Sequence, residues 1–400
     1  MSLRQPPYAL FPTEEYLARV SRARARMEAV GVDALILTAK ENGVYFSGLR
    51  TTAWNSKHRP TAVIVPRDDQ QPVVSVISEN IYNVAHGTSW IDDVRAWGGW
   101  KRKDAAKDPI VAIVDACKAL GVLGGTIGLE LGYGQRLGMS QEDFGKLQAG
   151  LGDSKIVDVG PVMWHLRQIK SALEIECIRK ACDATTKAFE RGFAAIKAGM
   201  TERELGAILI AEMALQTGEM PGFINIRSGP SKYGMMNVLP FEKPFDPGDL
   251  IVVDLGANYK YYWSDYMRMA ALGQPTAQQR HMFDVDRASM QAGVDCIRPG
   301  VTLGAIFDAS YKVLIDGGLE EHVGQLERVG HGVGLDIHEP PSIAKGSQML
   351  AEPGMVLTVE PIFWDLPDAK IGNFAMEEVV LVTETGHEVL STFSNDLYVL

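Results

Sequence analysis

Two aspartates stand where an unanswered carboxylate is costly. Asp254 closes the apolar run Ile251-Val-Val-Asp254, and Asp265 follows eleven residues later in the aromatic-rich stretch Tyr261-Tyr-Trp-Ser-Asp265. Burying a carboxylate costs free energy unless something answers its charge. A tight turn at Tyr259-Lys260 would make the two direct cross-strand neighbours, with Cβ atoms about 4.5–5.5 Å apart. Like charges at that range repel, and burial sharpens the repulsion. A divalent cation between them removes both penalties. Taken alone, the pair reads equally well as a surface hairpin with two solvated aspartates.

Later segments add donors. Gly330-His331-Gly-Val-Gly-Leu-Asp-Ile-His338-Glu339 sets two histidines seven residues apart, in a stretch too rich in glycine for a helix. Glycine there lets backbone come close to a bound group. Val359-Glu360-Pro361 ends another apolar run with an acid, and Ala375-Met376-Glu377-Glu378 places an acid pair at the head of a strand. Each has a plain structural reading alone: a satisfied core histidine, an acid closing a strand, an acid facing water. Together, four carboxylates and one glycine-flanked histidine form an oxygen-rich set suited to Mn, Fe, Co or Zn. Its carboxylate excess argues against a structural zinc site.

The elements that must position these donors alternate strand and helix. Short apolar runs at Ala34–Leu37, Val44–Phe46, Ala62–Val65 and Val73–Ile77 have strand length, and further strands are expected at Thr126–Leu131 and Ile156–Val159. A first helix carries Leu17, Val20, Met27 and Val30 behind a Thr13 cap, and Lys101–Asp108 reads as a solvated loop or helix start. Ile178, Ala181, Cys182, Thr185, Ala188, Phe189, Phe193 and Ile196 mark one face of a long helix. Thr201-Glu-Arg-Glu204 and Thr276-Ala-Gln-Gln279 have the form of capping boxes. Strands follow around Leu250–Ala257, Tyr262–Ala270, Met355–Glu360 and Met376–Val382. The change of character near residue 165 divides the chain into 1–164 and 165–400.

Composition bounds the partners. With 400 residues, 46% apolar, 22% charged and a formal charge of −11, the chain is an ordinary globular one with no basic face for nucleic acid or anionic membrane. No apolar run reaches the ~18 residues of a membrane span, and Met1–Thr13 has no apolar stretch of signal type. Cys117, Cys177, Cys182 and Cys296 form no CxxC pair. They read as reduced core cysteines of a cytoplasmic protein.

The order Asp, Asp, His, Glu, Glu and the strings around it resemble the pita-bread metallopeptidase family, in its Xaa-Pro aminopeptidase, prolidase and creatinase branch. The matching strings are Val253-Asp254-Leu-Gly-Ala, Ser264-Asp265-Tyr-Met-Arg268, Gly330-His331 through His338-Glu339, Gly354 through Glu360-Pro361, and Glu377-Glu378. Arg167-Gln-Ile-Lys170-Ser171 with Glu174 and Glu176 is similar to the entry into that branch's catalytic domain. The resemblance implies an α/β (α+β) chain: an N-terminal creatinase-like α/β domain over 1–164 and a C-terminal pita-bread catalytic domain over 165–400. It implies two divalent metal ions, manganese foremost with Co, Zn or Fe as alternatives. Asp254 would chelate one ion, Asp265 and Glu377 would bridge both, and His331 and Glu360 would take one ion each. A metal-bridging hydroxide would attack a small amide or peptide, Glu360 would shuttle its proton, and His338 would hydrogen-bond the carbonyl oxygen.

Two positions depart from the branch. Its peptidases commonly carry a substrate-touching histidine seventeen residues before the first metal aspartate; here that residue is Asn237. They also carry an arginine two residues before the last metal glutamate; here it is Ala375. Alanine cannot fork a carboxylate as arginine does. Thr51–Pro60 reads as a loop reaching the site of a homodimer partner, with Trp54, His58 or Arg59 on the substrate, or as an ordinary polar loop. Phe363-Trp364 could wall the pocket. A metal-dependent lyase of the dimethylsulfoniopropionate type using Asp336, a metal-free creatinase-like amidohydrolase and a non-catalytic binding module are the competing readings. His338-Glu339 and the full ligand set favour the Xaa-Pro peptidase.

Overall fold

The computed structural model describes residues 4–220, 222–323, 326–363 and 371–400. The chain forms two compact units, Met1–Arg167 and Gln168–Leu400. Trp364, expected beside the pocket, lies outside the described residues.

In the N-terminal unit, β1 (Ala34–Leu37), β2 (Ala62–Pro66), β3 (Val74–Ser78), β4 (Asp93–Trp97), β5 (Thr126–Leu129) and β6 (Lys155–Asp158) make one mixed sheet in the order β4-β3-β2-β1-β5-β6. Every residue of β1, β2 and β3 is buried, as continuous apolar runs demand of a sheet covered on both faces. Ile36, Ile64, Val76 and Ile127 pack with Ile113 and Cys117 of the helix Pro109–Ala119. Asp108 ends the charged loop before that helix by accepting from the backbone N–H groups of Ile110 and Val111.

Two local expectations differ. Val44–Phe46, apolar and of strand length, lies in the helix Lys40–Ser47, because three consecutive apolar residues fit a buried helix as well as a strand. That helix stops at Gly48, whose φ of 65° suits glycine and whose missing Cβ leaves room for the Tyr16 hydroxyl. Thr13 is the first residue of its helix rather than the cap. Its hydroxyl donates to the Arg4 carbonyl at 2.6 Å.

In the C-terminal unit, the helix Ala172–Ala195 opens on a Ser171/Glu174 capping box and buries Ile178, Ala181, Cys182, Thr185, Phe189 and Phe193. The helices Glu202–Thr217 and Ala277–Cys296 open on the Thr201/Glu204 and Thr276/Gln279 boxes that their spacing predicts. One sheet is built from β7 (Phe223–Ser228), β8 (Leu250–Gly256), β11 (Tyr266–Ala271) and β19 (Tyr398–Val399) in the order β19-β11-β8-β7. Between β8 and β11 lies the hairpin β9 (Asn258–Tyr259) and β10 (Tyr262–Trp263). A second sheet, ordered β13-β12-β14-β17-β18, uses β12 (Arg328–Gly332), β13 (Glu339–Ala344), β14 (Val356–Val359), β17 (Glu378–Val382) and β18 (His387–Val389). β15 (Ile362–Phe363) and β16 (Phe374–Ala375) pair separately. Val252, Met269, Met290, Ile306, Leu357 and Val380 share one core, so strands of both sheets and the helices Ala277–Cys296 and Leu303–Asp316 pack together. Ala375 is fully buried in that core.

Candidate metal centre

Asp254 is the fifth residue of β8, a strand buried along its whole length. Asp265 falls in the break between β10 and β11, a stretch expected to be one continuous strand. The hairpin register also differs from the expected one. Tyr262 pairs with Tyr259, and Met267, not Asp265, stands opposite Asp254. The turn sits one residue later, on Lys260 and Tyr261, which have φ of 52° and 73°. Two left-handed central residues are what a tight right-twisting hairpin requires, and Asn258 Oδ1 secures the turn by accepting from Tyr261 N at 3.1 Å. Moving the turn by one residue moves the pairing by two, so Asp265 becomes a diagonal neighbour of Asp254. Because side chains alternate with period two, both carboxylates keep the same face.

The other donors come from the second sheet. His331 lies in β12, Glu360 directly follows β14, and Glu377 directly precedes β17. Glu360 N donates to Val329 O at 2.8 Å, and His331 N to Thr358 Oγ1 at 3.2 Å, which sets these two chain segments side by side. Ligand atoms of Asp254, Asp265 and Glu377 lie within 4.8 Å of one another, as do those of His331, Glu360 and Glu377. The structure thus brings together all five residues singled out in the sequence, in overlapping groups: Glu377 is shared by the two above, and Asp265 also lies within that range of His331 and His338. One detail differs: His331 and Glu360, assigned above to separate ions, share a group, with His331 Nε2 3.3 Å from Glu360 Oε1.

The donor atoms are bare in a way that fits a cation. Asp254 Oδ1, Asp265 Oδ1, His331 Nε2 and both Glu377 oxygens are buried without a hydrogen-bond partner, a costly state for polar atoms. His331 Nδ1 faces Gly332 O at 3.0 Å. A carbonyl only accepts, so Nδ1 carries the proton and Nε2 presents its lone pair to the cluster. Burial pushes the Asp254 carboxyl up to about 6, against the pull of Arg227 and the Asn225 hydrogen bond. Burial, then the neighbouring acids, raises Asp265 and Glu377 well above the usual carboxylate range. Burial also raises Glu360 and lowers His331 to about 4. Every member is driven toward its neutral form, and divalent cations among these oxygens reverse that balance.

Supports surround the cluster. Arg268 Nη2 forks both Glu378 oxygens at 2.9 Å, and its Nη1 donates to the Glu377 carbonyl at 2.7 Å. Glu378 is therefore a buried anchor, which leaves Glu377 the bare one. Glu339 accepts from Lys170 Nζ at 3.3 Å and from Asp336 N at 3.0 Å, bracing the loop that ends at His338. His338 is exposed, its ring centroid 4.3 Å from that of His331. Partial burial and the His331 ring lower it to about 4, so it is a neutral hydrogen-bond donor near pH 7.

Sequence reasoning missed two residues of β7. Asn225 Nδ2 donates to Asp254 Oδ2 at 3.0 Å, and Arg227 is fully buried on the same face. The alternation Ile224-Asn-Ile226-Arg227 reads as a strand with a solvated polar face, although Arg227 is in fact covered.

Asn237 is exposed in the loop after β7, one residue beyond Met236, with φ of 51°. Trp54 belongs to a short 3-10 turn, Thr52–Asn55, capped by the Thr51 hydroxyl. Its ring lies over Gly43, and its Nε1 donates to Leu49 O at 2.9 Å. His58 and Arg59 are exposed, and Trp54, Lys57 and Arg59 border a cavity of about 600 Å³ within the N-terminal unit.

Comparison with known proteins agrees with this geometry. The model of metallopeptidase family M24 matches residues 176–384, and that of the creatinase/prolidase N-terminal domain matches residues 19–169. A curated relative, the Xaa-Pro dipeptidase of Pyrococcus furiosus, is 31% identical over 67% of this chain and 75% of its own. Among solved structures, the dipeptidase PepE of Mycobacterium ulcerans superposes with a TM-score of 0.81 at 26% identity, over 97% of this chain and 99% of that one. The prolidase of Pyrococcus horikoshii does so with a TM-score of 0.80 at 25% identity, over 95% and 99%.

Proposed function

The chain belongs to metallopeptidase family M24 and carries a creatinase/prolidase N-terminal domain, and on that premise we propose that it is a two-metal dipeptidase of the Xaa-Pro type. The observation that supports this most is the pair of adjacent ligand groups sharing Glu377, whose buried oxygens have no hydrogen-bond partner. The named relatives bring the substrate class, a dipeptide with proline at its C-terminal position. They favour hydrolysis over the lyase alternative.

The residues divide the work. Asp254, Asp265 and Glu377 would hold one divalent ion and His331, Glu360 and Glu377 the other, with Asp265 near enough to His331 to be shared as Glu377 is. Bound there, the ions supply a water acidified toward neutral pH and polarise a carbonyl oxygen. Glu360, its carboxyl raised by burial, takes the proton of the attacking water and delivers it to the leaving proline nitrogen. His338, neutral and exposed beside His331, donates a hydrogen bond to the substrate carbonyl oxygen as negative charge develops there. Arg268 and Asn225 keep the backbone at Glu377 and the Asp254 carboxylate in place.

The oxygen-rich donor set favours manganese over zinc. A two-fold dimer fits the exposure of His58 and Arg59, which with Trp54 would meet substrate bound to the partner subunit. Asn237 would donate to the substrate as a neutral amide, which its exposure on the loop allows. A cytoplasmic setting accords with four unpaired cysteines. No helix among the described residues is long and apolar enough to cross a membrane.

Hydrolysis of Ala-Pro and Leu-Pro, with Ala-Ala for comparison, tests the function on protein loaded with Mn. Release of free proline, faster than cleavage of Ala-Ala, is the expected result. Intact Xaa-Pro dipeptides after loading with Mn, Co or Zn would contradict it.

A further inference from the structure

Among the described residues, buried cations of the catalytic unit meet an anion, with one exception. Lys170 pairs with Glu339, Lys232 with Glu202, and Arg268 with Glu378. Arg227, in β7 and fully buried, has only thioethers: Nη1 lies 2.5 Å from Met236 Sδ and Nη2 3.8 Å from Met267 Sδ. Its Nε has no hydrogen-bond partner. Thioether sulfur is a weak acceptor, and guanidinium cannot shed its charge at any physiological pH. The group is therefore a buried cation with an open hydrogen-bonding edge.

Its surroundings set that group beside the reaction site. Asn225 and Arg227 are two residues apart in one strand and share a face, and Asn225 reaches Asp254. The charges that Arg227 feels are those of Asp254, Glu377 and Glu360. Once divalent ions answer the four carboxylates of the cluster, those charges no longer answer Arg227. Arg328, another arginine near the cluster, is half exposed, so water solvates its charge.

The cover over Arg227 is one side chain on a surface loop. Met236 is half buried in a loop whose neighbours Met235, Leu239 and Phe241 are exposed. Buried Glu202 pins that loop at its ends, accepting from Ser228 Oγ at 2.7 Å, from Lys232 Nζ and from Phe241 N at 3.1 Å. Between those ties, the unbranched Met236 side chain has three rotatable bonds with which to change its place.

We propose that Arg227 is the specificity residue that receives the free C-terminal carboxylate of the substrate on its guanidinium N–H groups, as Met236 swings aside from Nη1. This rests on the dipeptidase reading above and sharpens it. Ala375 leaves no arginine at the position noted in the sequence, and Arg227 supplies one from another strand. An enzyme so built favours short peptides ending in a free acid over amides and longer chains.

The test is calorimetry on metal-loaded enzyme with the reduced-amide analogue of Ala-Pro, in which the scissile carbonyl is a methylene. It is titrated as the free acid and as the C-terminal amide. Wild type is expected to favour the acid by about 10- to 100-fold, the scale of hydrogen bonds to a charged group. Arg227→Met, which matches the surrounding thioethers, should bring the two affinities within about twofold while metal content and amide affinity hold. Arg227→Lys keeps the charge but loses the fork and should fall between. An unchanged preference in either variant overturns the proposal, and the lysine variant carries the test if the methionine one does not fold. A wild type that cleaves Ala-Pro yet binds acid and amide alike overturns this inference alone. One that neither cleaves Ala-Pro nor binds either analogue overturns the dipeptidase reading with it.

Discussion

Asn225 on β7 holds Asp254 on β8 by a single 3.0 Å hydrogen bond to Oδ2, leaving Oδ1 bare toward Asp265 and Glu377. The two stand directly opposite in the antiparallel pairing, so the amide is held by the sheet. A donor in that place fixes which oxygen faces the metal without adding charge. Asn225→Ala is expected to weaken metal binding by about 10- to 100-fold, the usual effect of losing such a support, with the fold kept. Equilibrium dialysis against a fluorescent chelator reads it; unchanged affinity would return Asn225 to an ordinary strand residue.

Stripping the metal should destabilise the protein, and pH should control by how much. Asp254, raised to about 6, and Asp265 and Glu377, raised further, bind protons in the metal-free folded state that the unfolded chain has already released. A carboxyl raised on folding adds stability below its unfolded value, and that contribution is lost as pH rises through the folded value. The chelated protein therefore loses stability on going from pH 5 to pH 8, while metal, which needs the ionised ligands, holds best at the upper end. The gap in Tm between loaded and chelated protein is expected to widen as pH rises through about 6. At a hundredfold excess of metal over Kd it corresponds to about 3 kcal/mol. A gap that is constant with pH, measured by differential scanning fluorimetry, would show that these acids do not bind the metal.

His338→Ala should separate binding from turnover. The ring is exposed next to His331 and already neutral near pH 7. Its loss should leave metal content intact and lower kcat by about 10²- to 10³-fold, the scale of one oxyanion donor. A near-native rate would make His338 a structural neighbour of His331 and nothing more.

Arg268 is expected to matter for stability first. It is fully buried, forks Glu378 and holds the Glu377 carbonyl. Arg268→Ala strands the Glu378 carboxylate, and breaking a buried pair in this way costs about 3–5 kcal/mol. Urea denaturation measures this directly. Arg268→Met with Glu378→Gln, which removes both charges, should recover much of the loss.

The five donors were legible because each breaks a strong local pattern: an acid at the end of an apolar strand, or a histidine among glycines. The pairing of Asp254 was not. Where a hairpin turns depends on which residues accept a left-handed backbone, and Lys260 and Tyr261 announce nothing of the kind; their turn leans on the Asn258 side chain. The error of two kept the correct face because the pleat repeats every two residues. Val44–Phe46 was misread because a short apolar run has no period to inspect. Arg227 and Asn225 stayed hidden for the opposite reason. Their alternation with Ile224 and Ile226 is regular, and regular alternation says solvent, whereas here it says metal site.

The central claim is that this chain binds two divalent ions through Asp254, Asp265, His331, Glu360 and Glu377. Its most direct test is the metal content of purified protein after loading with Mn, by plasma mass spectrometry, beside Asp254→Ala and Glu360→Ala. Two ions per wild-type chain, lost in part or whole from each variant while the circular dichroism spectrum holds, is the result predicted. Wild type that takes up no ion under any loading condition, or variants that bind as wild type does, would contradict it.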